Sequence, residues 1–415
     1  MKFLHTSDWH LGKLFHEKSM LKDQEFMLNR IFELMKAASD KGEPYAALVV
    51  SGDIYDRAMP PSEAVTLLDT FLGKLTAHLP GTHIFMNAGN HDSAARLSFA
   101  AGFLELHNIH ISTNTKRFTE PVILGDEQKV AFYQLPFLTP LSISPQAVPE
   151  GDAASDSAGE SAMLRSQQDL YAAACAQILE SHKKNCGDMP CVLNAHLFAA
   201  GSSTAASERT NVGTAEQVDV SLFKGFTYGA FGHIHKYQPC DKEKRCYYPG
   251  ALLAYNFDDS PESGILEIEI LPQKEKSGGS APIKVTRIPM QPLHPIATIS
   301  AKMADLIGSH ADRAMIHENQ EKYVQVVLTD EVMPTEAFST LQSVFPNLLS
   351  VVPQEQIRDR TNSSIQERKD AILSNDPEKI FIQFMKDANG ICEDEELFQK
   401  QKELFVREAS EHSED

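Results

Sequence analysis

The chain has 415 residues, 42% of them hydrophobic, with 57 acidic against 38 basic side chains and a net charge of −19. That length exceeds one ordinary core, so two or three domains are expected. The charge excludes a protein that holds nucleic acid by a broad basic face; a nucleic-acid partner would need metal, a local basic strip or another subunit to attract it.

In chain order, "KFLHT" reads as a strand and runs into "HTSDWHLG" (5–12). There Asp8 and His10 stand at i and i+2, on one side of the chain if it stays extended. A helix is expected near 21–39 with Phe26, Ile31, Leu34 and Met35 on one face, then a strand in "AALVVSGD" (46–53), a helix near 61–78 and a strand in "HIFMNAGNHD" (83–92). This alternation predicts an α/β domain with buried strands. In such folds the chemistry gathers beyond the strands' C-terminal ends, where Asp8, Asp53 and Asn90 fall.

Residues 148–162, "VPEGDAASDSAGESA", predict a flexible surface loop. "GILEIEI" and "IKVTRIPM" flank "GGSAP" as a hairpin, and from about 264 a small α+β pattern follows: a helix near 301–307, the strand "YVQVVLT" (323–329) and a helix near 335–343. A polar tether then leads to helices expected at 377–388 and 394–407, each with an apolar stripe. The expected division is 1–263, 264–353 and 354–415. No apolar run approaches the roughly 18 residues of a membrane span, and "MKFLHTSDWH" lacks the apolar core of a signal peptide. The six cysteines (175, 186, 191, 240, 246, 392) form no C-x-x-C pair, so reduced thiols and a cytoplasmic location are expected.

Four stretches repeat the chemistry of the first: "SGDIYDR" (51–57), "NAGNHDS" (87–93), "LNAHLF" (193–198) and "FGHIHK" (231–236). Each sets a carboxylate, carboxamide or imidazole just after an apolar strand. A single one is weak, because strand-end His residues are commonly structural and Gly-Asp or Gly-Asn pairs commonly make turns. Together they offer Asp, Asn and His donors that suit Mn²⁺, Fe²⁺ or Zn²⁺; Ca²⁺ would call for oxygens throughout and structural zinc for thiolates.

The order D-x-H, G-D-x-x-D, G-N-H-D, H, G-H-x-H resembles that of the calcineurin-like metallophosphoesterases. The likeness extends through "HTSDWHLGK", "GDIYDRAMPPSEA", "AHLFAAGSSTAASER" and "YYPGALLAYNFDD", and is nearest to the DNA nucleases of that superfamily. It implies an α/β phosphoesterase sandwich, a small α+β capping domain and a C-terminal helical tail. It further implies two divalent ions, with Mn²⁺ expected: one on Asp8, His10, Asp53 and His235, the other on Asp53, Asn90, His196 and His233. Such a pair, roughly 3.5–4 Å apart, activates a water against phosphorus. His91 would stabilise or protonate the reacting oxygens. Asp92 would orient His91, or instead cap the helix beginning in "DSAARL".

The resemblance also implies single-strand endonuclease and double-strand 3′→5′ exonuclease activity, working with an ABC-type ATPase that carries a long coiled coil. The assembly would be a homodimer within a heterotetramer. No G-x-x-x-x-G-K-[ST] loop occurs in this chain, so ATP would be bound by the partner. Two departures stand out. Many relatives have Gly-Ser-Pro where Gly250-Ala251-Leu252 stands, and archaeal and eukaryotic relatives have a His in place of Asp56. A protein phosphatase or small-nucleotide phosphodiesterase is the rival enzyme, although Ala58 and Asp92 differ from the phosphatase pattern. A scaffold without chemistry is the rival class. Trp9 and His5 read as packing residues and His16 as an exposed loop residue; Arg57 and Ser207-Glu208-Arg209 are substrate-contact candidates.

Overall fold

The structure is a computed structural model that describes residues 1–139, 166–203, 217–272 and 281–354. The expected acidic loop and both tail helices lie outside these residues. The first unit, Met1–Ala297, starts with Lys2–Thr6 (β1), a short hairpin Leu14–Phe15 (β2) and Lys18–Ser19 (β3), and Leu21–Asp40 (α1). Ala47–Val50 (β4), Ser62–His78 (α2), His83–Asn87 (β5), Ala94–Leu97 (α3), Ala101–Glu105 (α4) and Ile109–Ser112 (β6) follow. Next come Val122–Leu124 (β7), Val130–Leu135 (β8), Gln167–Asn185 (α5), Cys191–His196 (β9) and Tyr228–Gly232 (β10). Gln238–Pro239 (β11), Cys246–Tyr248 (β12), Ser263–Ile270 (β13) and Ile283–Met290 (β14) complete it.

These strands make two six-stranded sheets, ordered β14-β13-β1-β4-β5-β6 and β11-β12-β10-β9-β8-β7. Each has a parallel centre, β1-β4-β5-β6 in one and β12-β10-β9-β8 in the other, with antiparallel strands outside. The facing sides bury Phe3, Val49, Phe85, Phe132, Val192, Tyr228 and Ile268 in one cluster. Phe132 stacks on Phe85 at 4.9 Å and meets the edge of Phe3 at 5.3 Å. The other face of the second sheet packs on α5, where Leu170, Tyr171 and Ile178 meet Tyr133, Leu193 and Phe231. Both faces of the parallel strands are therefore buried, which is why they read as continuous apolar runs. Ser166 caps α5 by accepting the Asp169 N–H at 3.1 Å.

Two expectations are corrected. The hairpin after residue 263 belongs to the first unit, because β13 pairs along the free edge of β1 (Phe3 opposite Ile268) and Leu266, Ile268 and Ile270 enter the inter-sheet core. The unit boundary is thus at Ala297/Thr298 rather than 263/264. The inner face of α1 is also turned from the expected one: Gln24, Met27, Leu28, Ile31, Phe32 and Met35 are buried, while Phe26 and Leu34 are half-buried.

The second unit starts at Thr298, and its described part runs to residue 354. Met303–Leu306 (α6), Arg313–Asn319 (α7) and Ala337–Gln342 (α8) accompany a sheet of Ile296–Ala301 (β15), Tyr323–Leu328 (β16) and Leu348–Pro353 (β17). Its own core holds Leu306, Val324, Val326, Leu341 and Phe345.

Candidate metal centre

β1 ends at Thr6, β4 at Val50, β5 at Asn87, β9 at His196 and β10 at Gly232. Asp8 and His10, Asp53, Asn90, His196, and His233 and His235 thus sit at or just past five strand ends. The chain does not stay extended there. Asp8, His10, Asp53 and His233 have φ of 52°, 45°, 48° and 104°. Left-handed backbone costs a non-glycine residue on the order of 1–3 kcal/mol and persists only where its surroundings fix it. Asp8 and His10 therefore converge through left-handed turns and not through the two-residue repeat of a strand.

Several contacts fix those turns. Gln24, fully buried on α1, donates from Nε2 to the carbonyls of Trp9 (3.3 Å) and His10 (2.8 Å) and accepts the Gly12 N–H at 3.0 Å. Tyr255 Oη donates to the Trp9 carbonyl at 2.5 Å. The loops after β1 and β4 bond to each other, His10 N–H to the Asp53 carbonyl (3.0 Å) and Leu11 N–H to the Ile54 carbonyl (2.9 Å). The sequence reading missed Gln24 and Tyr255. A signal for Gln24 exists: it is the polar member of the α1 stripe 24, 28, 31, 35. The glycines before the ligands make room for them. A Cβ on Gly89 would lie 2.1 Å from Asp53 Oδ1, and one on Gly52 (φ +86°) 2.2 Å from His196 Nδ1.

The predicted ligands gather in two groups, and His10 forms a further one with Asp56 and His91. Ligand atoms of Asp8, His10 and His235 lie within 4.8 Å of one another, as do those of Asp8, Asp53 and His196. His10 Nε2 and His235 Nε2 are 3.0 Å apart. Asn90 Oδ1 stands 2.9 Å from His196 Nε2 and 3.1 Å from His233 Nδ1. Asp53 Oδ2 lies between the groups, 3.7 Å from His10 Nε2 and 3.4 Å from His196 Nε2. Asp8, His10, Asp53 and His196 are buried, whereas Asn90 is exposed and opens the site to solvent.

Burial and mutual charge set the protonation. Burial pushes the Asp8 carboxyl up to about 7, with His196 pulling against this and Asp53 adding to it. Burial works on Asp53 in the same sense, but the imidazolium of His196 outweighs it and holds Asp53 well below the usual carboxylate range. Burial likewise disfavours charge on His196, yet the adjacent Asp53 carboxylate raises its pKa to about 9. Burial lowers His233 and His235 to about 3, so both present neutral nitrogen. Converging oxygen and neutral imidazole donors fit divalent transition ions, whose charge would offset the two buried carboxylates. Binding would release the His196 proton.

His91 N–H donates to Asp53 Oδ1 at 2.9 Å, its ring crosses that of His10 at 90° and 4.9 Å, and its Nδ1 faces the Asp56 carbonyl at 2.9 Å. Asp92 does other work than expected. Its carboxylate accepts the N–H groups of Ile54 (3.0 Å), Tyr55 (2.9 Å) and Gly89 (2.9 Å), tying the loops after β4 and β5 together. The following helix is instead entered through Ser93, with no side-chain cap. Trp9 is fully buried against Phe71, and His5 bonds Tyr228 Oη (2.9 Å) and Ser51 Oγ (3.0 Å) across the sheets. His16 and Arg57 are exposed, and Ser207-Glu208-Arg209 lie outside the described residues. In the departure at 250–252, the Ala251 N–H holds the His235 carbonyl at 3.0 Å.

Residues 1–140 match the family model described as calcineurin-like phosphoesterase, and residues 286–389 the one described as type 5 capsule protein repressor C-terminal domain. A protein of Staphylococcus saprophyticus, named as the SbcD component of the nuclease SbcCD, is 29% identical over 395 residues, covering 94% of each chain. A protein of the same name from Staphylococcus epidermidis is 28% identical over 357 residues, 85% of each.

Proposed function

We propose that this chain, whose residues 1–140 match the calcineurin-like phosphoesterases, is the metal-dependent nuclease component of an SbcCD-type complex, hydrolysing DNA phosphodiester bonds. The observation that carries this reading is the convergence of Asp8, His10, Asp53, Asn90, His196, His233 and His235 from both sheets onto one solvent-open point. Asp8, His10, Asp53 and His235 would hold one ion and Asp53, Asn90, His196 and His233 the other, with Asp53 shared. When bound, such a pair polarises the phosphodiester and activates the attacking water. Mn²⁺ suits this donor set.

The remaining work falls to the protein. Asp92 and Gln24 keep the ligand loops rigid. His91, half-buried beside Asn90, is the proton carrier: Nδ1–H is committed to the Asp56 carbonyl, and Nε2 delivers the proton to the leaving oxygen. No side-chain nucleophile is required. A phosphatase reading finds less support, since Asp92 stands where that branch has Glu.

The partner is an ABC-type ATPase with a coiled coil, which would supply much of the DNA affinity that a chain of net charge −19 lacks. Residues 354–415 would be the segment that docks on it. Pairing of two copies is supported by an apolar groove of about 800 Å³ between α2 and α3–α4, rimmed by Phe99 and Phe103, which are 84% and 63% exposed. A cytoplasmic setting accords with this role; no helix among the described residues is long and apolar enough to cross a membrane.

The test compares the full chain with one ending at Asn375, each alone and coexpressed with the proposed ATPase partner, on single- and double-stranded DNA with Mn²⁺, Mg²⁺ or Zn²⁺. Metal-dependent cleavage of single strands by both chains, and ATPase copurification with the full chain alone, are expected. Hydrolysis of a phosphopeptide in preference to DNA would sink the nuclease reading. Copurification of the shortened chain at full yield would sink the docking role of the tail.

A further inference from the structure

Asp56 has no assigned part in the ligand set, yet it touches three groups of the centre. Its Oδ1 lies 2.7 Å from Lys13 Nζ and 3.7 Å from His10 Nδ1, and its main-chain carbonyl faces His91 Nδ1 at 2.9 Å. Its own N–H is bonded to the Leu11 carbonyl at 3.2 Å, so the residue is anchored to the loop that carries His10. The Asp56 side chain is 15% exposed. His10 Nδ1 is buried and has no hydrogen-bond partner among the described residues. The other nitrogen of that ring, Nε2, is the one turned toward His235 and Asp53.

An imidazole that ligates a metal through one nitrogen needs an acceptor for the N–H on the other, and a carboxylate is the usual one. Asp56 is the carboxylate beside His10 Nδ1, and Lys13 holds it as an ion pair at that spot. We propose that Asp56 is a positioning residue acting on two histidines through two different groups. Its carboxylate receives Nδ1–H of His10 and so keeps the Nε2 lone pair aimed at the metal; its carbonyl receives Nδ1–H of His91 and so fixes the proton carrier. This rests on the reading of Asp8, His10, Asp53 and His235 as a metal site. The two contacts are separable, because a substitution at Asp56 removes the carboxylate and leaves the carbonyl.

Calorimetric titration of Mn²⁺ into the metal-free full-length protein tests this, alongside single-strand cleavage kinetics at saturating Mn²⁺ and thermal melting. In Asp56→Ala, one of two Mn²⁺ sites should weaken about 10–100-fold. Turnover at saturating Mn²⁺ should fall by less than that affinity does, with the pH profile of turnover in place. Asp56→Asn, whose amide oxygen still accepts from His10, should bind Mn²⁺ with intermediate affinity; it also keeps the test alive if the Ala variant does not fold. Unchanged Mn²⁺ affinity in both variants, with lower turnover and a shifted pH profile, would overturn the inference and place the carboxylate on His91. Loss of a third Mn²⁺ site would also overturn it, by making Asp56 a ligand. If the unaltered protein binds no Mn²⁺ at all, the metal-site reading itself fails.

Discussion

The two sheets of the first unit furnish different halves of the proposed centre. Every oxygen donor comes from loops of the first sheet: Asp8 after β1, Asp53 after β4 and Asn90 after β5. The second sheet supplies imidazoles alone, His196 as the last residue of β9 and His233 and His235 just past β10. The first-sheet half is the more contorted. Asp8, His10 and Asp53 all carry positive φ, and Gln24, Tyr255 and Asp92 are spent on holding their loops. In the second half only His233 of the three imidazoles has positive φ; His196 is still in regular strand, and its Nδ1 faces the Ser51 carbonyl of the other sheet at 2.8 Å. Carboxylate and carboxamide oxygens in one layer meeting imidazoles of the other make the proposed centre a property of the packed sandwich; neither layer holds it alone.

The sharpest way to break this comparison is at Asp53, which touches both halves. Asp53→Asn should empty both proposed sites and depress turnover further than any other single change, beyond the ~10⁴-fold upper range of lost acid–base help. Metal analysis by mass spectrometry checks it; one ion retained at full occupancy would remove Asp53 from the shared position. The next effect separates ligands from chemistry within the first-sheet half. His91→Ala should keep its metal content near normal while turnover drops by about 10²–10⁴-fold. A metal-free His91→Ala protein would make His91 a ligand.

The smallest effect probes the seam between layers. Burial lowers the His5 pKa from 6.5 to about 3. Between those values the unfolded chain takes up a proton that the folded chain refuses, so His5 makes stability fall as pH falls through that window. The slope is about 1.4 kcal/mol per pH unit for one proton. His5→Gln removes that proton, so its urea-melt stability should decline less steeply than the parent's between pH 6 and pH 4, roughly by that slope. Parallel curves would mean that His5 is charged in the fold.

The strand ends were legible because buried parallel strands show as apolar runs, and Asp8, Asp53, Asn90, His196 and His233 stand where those runs stop. The route by which Asp8 and His10 meet was not, since an apolar/polar pattern carries no record of φ. Asp92 shows the same limit. A carboxylate before "SAARL" reads locally as a cap, while its three N–H partners come from loops 37 and 38 residues earlier and from Gly89. On α1, Phe26 and Leu34 were expected inside by their apolar character, but the buried positions include the polar Asp23 and Gln24, which turns the inner face toward Met27 and Leu28. The unit boundary was displaced for a related reason: local pattern identifies the β13–β14 hairpin and cannot say that its partner is β1.

That pairing of β1 with β13 also bears on how the protein is made. Strand β1 is synthesised before both of its neighbours, and β4 can join one of its edges early. The other edge waits for Leu266 and Ile268. At about 5–20 residues per second, some 220 residues of synthesis separate the two events, on the order of 10–45 s. During that interval an apolar strand edge is exposed, and such edges recruit other chains. A nascent or truncated chain stopping short of β13 should therefore depend on chaperones or aggregate, even though it already contains every proposed metal ligand.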